Sequence, residues 1–477
     1  MFLRSAYDAV VVGSGPNGLC AAIALAQAGC TVVVVEGQTT IGGGVRSAEL
    51  TLPGFIHDPC AAIFPLSLAS PFIRTLPLER YGLEWINPSA ALAHPLDEGG
   101  PVLVERSLEH TAASLGSDER AYWRLMQPLL DDWERFSWDL LGPLPLPPRA
   151  PLTYARFAVN ALASAYGFAR MAFRNPRTRA MFAGMAGHSQ LSLHTPGSAA
   201  FGIVISLLAH AVGWPLPRGG AQSISKALAE YFASLGGEIV TGLQIERMEQ
   251  LPEHKAALFD VAPRNFLRIL GERLPAGYRR QLERYRYGPG VFKIDYALDG
   301  PIPWKDEACA KAPTVHLGGS LEEIAGGEAA VMRGVHPSRP YVLLAQHTLF
   351  DTGRAPDGCH TAWVYCHVPN GSQEDMTDPI EAQIERFAPG FRKRVLARCT
   401  RNAAQMEAYN PNYVGGDINV GVQDLLQQFT RPAVRLDPYS TPLKGIFLCS
   451  SATPPGGGVH GMSGYYAAQS ALRKVIQ

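Results

Sequence analysis

Near the start of the chain, Gly13-Ser14-Gly15-Pro16-Asn17-Gly18 follows the spacing G-x-G-x-x-G. Gly13 permits a tight turn, Gly15 lets the backbone approach a pyrophosphate, and Gly18 lets a helix pack closely on a strand. The N-terminus of that helix offers free N–H groups and the positive end of its dipole to the phosphates. Glu36 follows downstream, an acid able to accept hydrogen bonds from a ribose diol. The chemistry these residues can do together is the binding of a dinucleotide.

The elements needed to hold them there are legible. Ala9-Val10-Val11-Val12 is an apolar run of the kind expected for a strand buried on both faces. A helix follows, with Ala22, Leu25 and Ala26 toward the sheet, and stops at Gly29. A second strand, Thr31 to Val35, ends in Glu36. This β-α-β context separates the motif from an ordinary glycine-rich turn. A second glycine-rich stretch, Ile41-Gly42-Gly43-Gly44-Val45-Arg46-Ser47, comes soon after the acid.

The end of the chain supplies a complementary piece. Gly445 to Cys449 reads as a strand, Ser450 to Gly464 as a turn rich in glycine, and Tyr465 to Val475 as a helix. Gly456, Gly458 and Gly461 again spell G-x-G-x-x-G, but no second strand with a ribose-binding acid can follow, so there is one dinucleotide cradle and not two. A turn of this kind at a helix N-terminus can set backbone N–H groups against the pyrimidine edge of an isoalloxazine, where charge gathers on reduction. His460 lies inside that turn and is a candidate acid or base. The other reading of His460 is a ring that only hydrogen-bonds the loop.

Taken together, VVVGSGPNGLCAAIALAQAGCTVVVVE, IGGGVRSAELTLPGFIHD, VGWPLPRGGAQSISKAL, GPGVFKIDYALDGPIPW, VGGDIN and PPGGGVHGMSGYYAA resemble phytoene-desaturase-like FAD-dependent oxidoreductases. These form part of the carotenoid-desaturase and amine-oxidase superfamily and include the group of pyridine nucleotide-disulfide oxidoreductase domain-containing protein 2. The resemblance runs from end to end. It implies an α/β fold: a Rossmann-type FAD-binding domain of the glutathione-reductase-2 class, interleaved with an α+β substrate domain of mixed sheet plus helices. The FAD-binding domain would be assembled from residues 1–75, 216–290 and 431–477, and the substrate domain from 76–215 and 291–430. It further implies FAD as cofactor, held by Gly13, Ser14, Gly15, Pro16, Asn17, Gly18 and Glu36. Gly43, Gly44 and Arg46 would lie along the phosphates and flavin, Ile245 against adenine, and Ser451, Gly458, Val459, His460 and Met462 at the isoalloxazine. Lys293 matches the lysine that flavin amine oxidases present to flavin N5 through a water. Bacterial carotenoid desaturases usually lack it. Its other reading is a surface lysine on an edge strand. Cys60, after His57-Asp58-Pro59, falls where relatives run past the flavin ring, as a reactive or flavin-linked thiol or as a buried small hydrophobe. Tyr465 and Tyr466 read as packing residues.

The reaction implied is dehydrogenation of an apolar, polyene, isoprenoid or lipid-like substrate by hydride transfer to flavin N5, with oxygen or a quinone as final acceptor. The alternatives are a flavin amine oxidase, a flavin-dependent saturase or isomerase, and a non-catalytic scaffold stabilised by FAD.

Composition bounds the partners. Lys+Arg and Asp+Glu are 42 each, which argues against a nucleic-acid binder. No C-x-x-C or His pair completes a metal site, so no metal is expected, and the eight cysteines read as free thiols of a reducing compartment. The start leaves no room for a secretory signal, and Ala199 to Pro217 reads as a buried helix and not a membrane span, so a cytoplasmic location is expected. From Leu140 to Ala229 there is no Asp or Glu. The run opens on a proline-rich stretch, Leu141 to Pro148, expected to be stiff and extended. Tyr154 to Arg174 then reads as one helix with Arg156, Arg170 and Arg174 on a stripe. Two readings stay open for 152–179: peripheral contact with an anionic membrane, or a core helix with a solvated arginine edge.

Overall fold

Ala6–Val12 (β1) lies in the middle of a parallel sheet, and Ala9, Val10 and Val11 have no exposed surface, as a β-branched run buried on both faces requires. In the computed structural model, which describes residues 2–144 and 146–476, the strands fall into two main sheets. Pro145, inside the proline run, lies outside the described residues.

The strands that matter are β1, Val32–Val35 (β2), Ala90–His94 (β3), Val102–Glu105 (β4), Glu238–Val240 (β5) and Glu253–Phe259 (β6). They continue with Gly290–Leu298 (β7), Thr314–Leu317 (β8), Val342–Ala345 (β9), His360–Val368 (β10), Val395–Arg401 (β11) and Ile446–Leu448 (β12). The first sheet is all parallel, in the order β12-β6-β1-β2-β5. Its strands come from the beginning, middle and end of the chain. Helix Pro16–Gln27 (α1) follows β1, Gln222–Ser234 (α6) precedes β5, and Met462–Ala471 (α8) follows β12.

The second sheet is mixed, in the order β11-β7-β10-β9-β8-β3-β4, with one parallel pairing, β8 to β3. One face packs on Phe292, Ile294, Val364, Leu344 and their neighbours as a core of its own. The opposite face carries Val291 and Lys293 on β7, Trp363 and Tyr365 on β10, Leu343 and Ala345 on β9, and Thr314 on β8, every second residue along each strand. Register aligns them: Lys293 pairs with Tyr365, Tyr365 with Leu343, and Leu343 with His316. Helices Pro151–Ala161 (α2) and Ser198–Ala211 (α5) stand over this face, Ala165–Ala172 (α3) and Pro176–Gly187 (α4) pack against α5, and Leu425–Thr430 (α7) closes the rim.

Three sequence expectations are corrected here. Tyr154 to Arg174 is two helices, because Ser164 breaks the run and its hydroxyl accepts the Gly167 N–H as the N-cap of α3. Arg174 lies past the end of α3, so Arg156, Arg170 and Arg174 do not share one helical stripe. The strand at Gly290 stops at Leu298 and does not run on to Trp304. The apolar stretch after Ala199 is the buried helix expected, and among the described residues no helix is long and apolar enough to cross a membrane.

Candidate active site

The glycine turn after β1 is built as its spacing requires. Gly13 has φ +103°, open to glycine and strained for other residues. A Cβ on Gly18 would stand 2.1 Å from the Gly13 carbonyl oxygen, so strand and helix meet only because residue 18 has no side chain. Gly15 caps α1 without a side-chain partner, and Pro16 takes the first helical position. At the tip of β2, Glu36 accepts from the Ser14 N–H at 2.9 Å, the Ser14 hydroxyl at 2.6 Å and the Gln38 N–H at 2.9 Å, with Arg46 3.7 Å away. The Asn17 side-chain oxygen is buried with no partner in the protein, while its amide nitrogen reaches Ser451 at 3.4 Å. An open helix start fits a pyrophosphate, and the Asn17 acceptor and the carboxylate at the next strand tip fit hydroxyl donors such as those of a ribose.

From this turn one continuous cavity of about 870 Å³ runs past Gly43, Gly44, Arg46 and Cys60, over Lys293, beneath Gly458 to His460, and into an apolar chamber walled by α2 and α5. Ile245 lines its opposite end beside Leu243 and Gln244. Of the residues expected to bind the cofactor, Gly18 and Met462 stand behind the wall and the others line it. Met462 donates its N–H to His460 Nδ1 at 3.0 Å, and His460 Nε2 lies 3.1 Å from the Gly456 carbonyl oxygen. Both ring nitrogens of His460 are thus engaged inside the loop, and burial holds the imidazole down to about 4.

Lys293 is 2% exposed on an interior strand, so the edge-strand reading does not hold. Its ammonium hydrogen-bonds the Asp295 carboxylate and lies 5.4 Å from the centre of the Trp363 ring. Burial pushes the lysine down and the aspartate up, each opposed by the other's charge. His57 stands 3.8 Å behind Asp295, and its other ring nitrogen meets the half-buried Thr51 hydroxyl at 2.8 Å. Cys60 is in the cavity wall, and burial raises its thiol to about 11, so it is a neutral thiol at pH 7. Tyr465 and Tyr466 do not line this cavity; they pack against Phe72, Trp138 and Tyr439.

Several site residues escaped the sequence reading. Asp295 had a signal: two residues beyond Lys293 on a strand, it must share that face. Asp58 had none. Its carboxylate joins Arg354 at 2.7 Å, the Ser47 hydroxyl at 2.6 Å and the Ala221 N–H at 2.9 Å, tying the glycine-rich loop to the start of α6. Asp260 ends the buried run Ala256 to Phe259 as Glu36 ends β2, a parallel that went unread. It accepts the Gly18 N–H at 2.9 Å, and its oxygen would lie 2.6 Å from a Cβ on Gly15.

Burial raises the Asp260 carboxyl to about 7, with the Glu36 charge adding to the rise. A neutral carboxyl under the turn tolerates a pyrophosphate and an ionised one repels it. Dinucleotide affinity should therefore weaken as pH rises above 7, by up to about tenfold per unit while one proton is linked to binding. Asp260→Asn should flatten that slope, as read by FAD titration from pH 6 to 9. An unchanged slope would place the proton elsewhere.

Residues 11–76 match the family model described as NAD(P)-binding Rossmann-like domain. The whole chain is similar to mouse pyridine nucleotide-disulfide oxidoreductase domain-containing protein 2, at 28% identity over 99% of this chain and 94% of that one. It is also similar to the lycopene-forming phytoene desaturase of a Paracoccus species, at 21% identity over 96% of each. Among solved structures, a putrescine oxidase variant superposes with a TM-score of 0.64 at 16% identity, covering 98% of both chains, which shows a shared fold. The resemblance read from the sequence is therefore present along the full length. The class these relatives in sequence define is that of the oxidoreductases.

Proposed function

We propose that this chain is an FAD-dependent oxidoreductase that removes hydride and proton from adjacent carbons of an apolar substrate, leaving a double bond. The observation that carries the reading is the single cavity joining the dinucleotide turn, the buried Lys293 and an apolar chamber lined by Leu141, Phe157, Ala161, Phe201, Val204 and Ile205. FAD bound in the cradle would supply the two-electron acceptor, itself reoxidised by oxygen or a quinone.

The chain's own residues bind, orient and move a proton. The first turn of α1 and Gly15 take the pyrophosphate, and Glu36 the ribose. Burial favours the neutral form of Lys293, whose Nζ would take the proton lost from the substrate carbon, with Asp295 as counter-ion to the ammonium formed. Trp363, Tyr365, Tyr409 and Tyr413 also line the cavity. That aromatic lining around a lysine favours a second reading, oxidation of an amine.

An absorption spectrum before and after acid precipitation tests the cofactor: flavin released into the supernatant is expected. The neutral Cys60 thiol argues for non-covalent attachment, and a yellow pellet would contradict it. Anaerobic bleaching of the flavin by apolar polyenes then separates desaturation from amine oxidation. Protein that stays colourless with added FAD would end the reading.

The chamber opens beside an apolar rim. Leu146 (83% exposed), Phe429 (62%) and Leu436 (109%) line the cavity yet face solvent, and Leu152, Val159 and Met171 are exposed apolar residues of the acid-free stretch. Arg156, Arg170 and Arg174, in the same stretch without acids, are exposed. Continuity of an apolar rim with an apolar chamber, together with exposed cations in a stretch without acids, supports an anionic lipid surface as the occupant. Flotation with phosphatidylserine-containing vesicles is expected. Leu146→Ser with Phe429→Ser and Leu436→Ser should reduce the floated fraction about tenfold or more. A parent protein that does not float would refute membrane contact.

A further inference from the structure

The chamber is not apolar to its far end. Beyond Leu343 its wall carries His188, Gln190, Trp214 and Thr314. These converge from four places: His188 caps the end of α4, Gln190 follows with φ +56°, Trp214 comes after α5, and Thr314 opens β8. The Trp214 ring lies 5.7 Å from that of His188 and 5.9 Å from that of His316. Thr314 and His316 share a face of β8.

Three of these groups bring polar atoms that the protein leaves unpaired. Gln190 Oε1, Trp214 Nε1 and Thr314 Oγ1 are buried without a hydrogen-bond partner, on residues 4%, 2% and 5% exposed. One unpaired buried polar atom is a tolerated cost. Three on one patch of cavity wall, offering an acceptor, a donor and a hydroxyl that does both, are a set of partners held for a ligand. His188 is fixed beside them by a 2.9 Å contact between its Nε2 and His316 Nε2. Gly184 leaves room for that pair, since a Cβ there would lie 2.9 Å from His316 Nδ1. No Lys, Arg, Asp or Glu belongs to the group. Burial keeps both imidazoles far below their ordinary range, so they are neutral at pH 7.

We propose that this end of the chamber is a subsite for an uncharged hydrogen-bonding group of the substrate, a hydroxyl, carbonyl or amide. The register from β7 through β10 and β9 brings Lys293 level with His316, and Thr314 lies two residues further along β8. The subsite would thus hold that group roughly 16 Å from Lys293 at the usual strand spacing and rise. The substrate class is then an amphiphile: a polar, neutral end in this subsite and an apolar stretch crossing to the reacting carbon. This rests on the oxidoreductase reading of the cavity, and a carboxylate, phosphate or ammonium end is excluded because nothing in the subsite would neutralise it.

Calorimetric titration of the FAD-loaded chain with decan-1-ol, decanoate and decylammonium at pH 8 tests this without turnover. The alcohol should bind at least about tenfold more tightly than either ion. Thr314→Val with Gln190→Leu should weaken the alcohol about tenfold, while Thr314→Ser, which keeps the hydroxyl, should not. Equal binding of an ion, no binding of the alcohol, or full affinity in the double variant would each overturn the subsite. FAD content, read separately by absorbance, tells failure of the oxidoreductase reading from failure of the subsite. A chain without flavin can still be titrated with the alcohol.

Discussion

Lys293→Met is expected to slow turnover by roughly a hundredfold or more, the usual size of a positioned proton donor or acceptor, while bound FAD is retained. The same change should destabilise the protein by about 3–5 kcal/mol, because it strands Asp295 as an unpaired buried charge. Both carboxylate and ammonium are 2% exposed, so water can replace neither. The pH dependence has a definite sign. Burial already raises the Asp295 carboxyl, and removing the ammonium raises it further. A carboxyl raised in the folded state favours folding fully below its unfolded value, near ~4, and that contribution is lost as pH rises through the folded value. The variant should therefore lose stability with rising pH across the neutral range. Lys293→Met combined with Asp295→Asn should recover stability and not turnover. Rapid mixing of reduced and oxidised enzyme, with melting curves from pH 5 to 9, reads both effects. Unchanged kinetics would remove Lys293 from the chemistry and leave it a structural ion pair.

Gly464→Ala should have the second large effect, about 3 kcal/mol of stability with loss of bound FAD. Alanine is a better helix former than glycine by about 1 kcal/mol, so an isolated α8 would gain. In the protein, a Cβ at 464 would lie 1.8 Å from the Asn17 carbonyl oxygen and 2.9 Å from the Ala21 nitrogen, backbone atoms that cannot swing aside. A Cβ on Gly461 would meet a side chain instead, 2.2 Å from Cys20 Sγ. Here α8 crosses α1 with almost nothing between the backbones, and α1 is the helix that follows the glycine turn. Chemical denaturation with and without FAD measures the loss. A variant as stable as its parent would mean that the two helices can separate without cost to the cradle.

That crossing marks what a linear reading reached and where it stopped. The β-α-β unit, the single cradle and the pairing of the two chain ends were all readable, because each rests on local rules: where glycine is needed, where an acid tips a strand, where a helix begins. Lys293 was also readable as a candidate. Its burial was not, since whether a strand is interior or at an edge depends on which strands flank it, and β10 and β11 come much later in the chain. The single helix expected from Tyr154 to Arg174 failed for a local reason, a serine cap inside an otherwise continuous apolar pattern.

By itself, then, the sequence determined a β-α-β unit with a glycine turn of the dinucleotide-binding pattern, and a long apolar stretch without acids. These follow from residue types acting over a few positions. Only the tertiary structure decided that Asp260 lies under the glycine turn, that His57 stands behind the Lys293–Asp295 pair, and that Trp214 and Thr314 join His188 and Gln190 at the end of the chamber. Their side chains are brought together by strand order and helix crossings over long separations in sequence, and hydrogen bonding and desolvation depend on that distance in space and not on the distance along the chain.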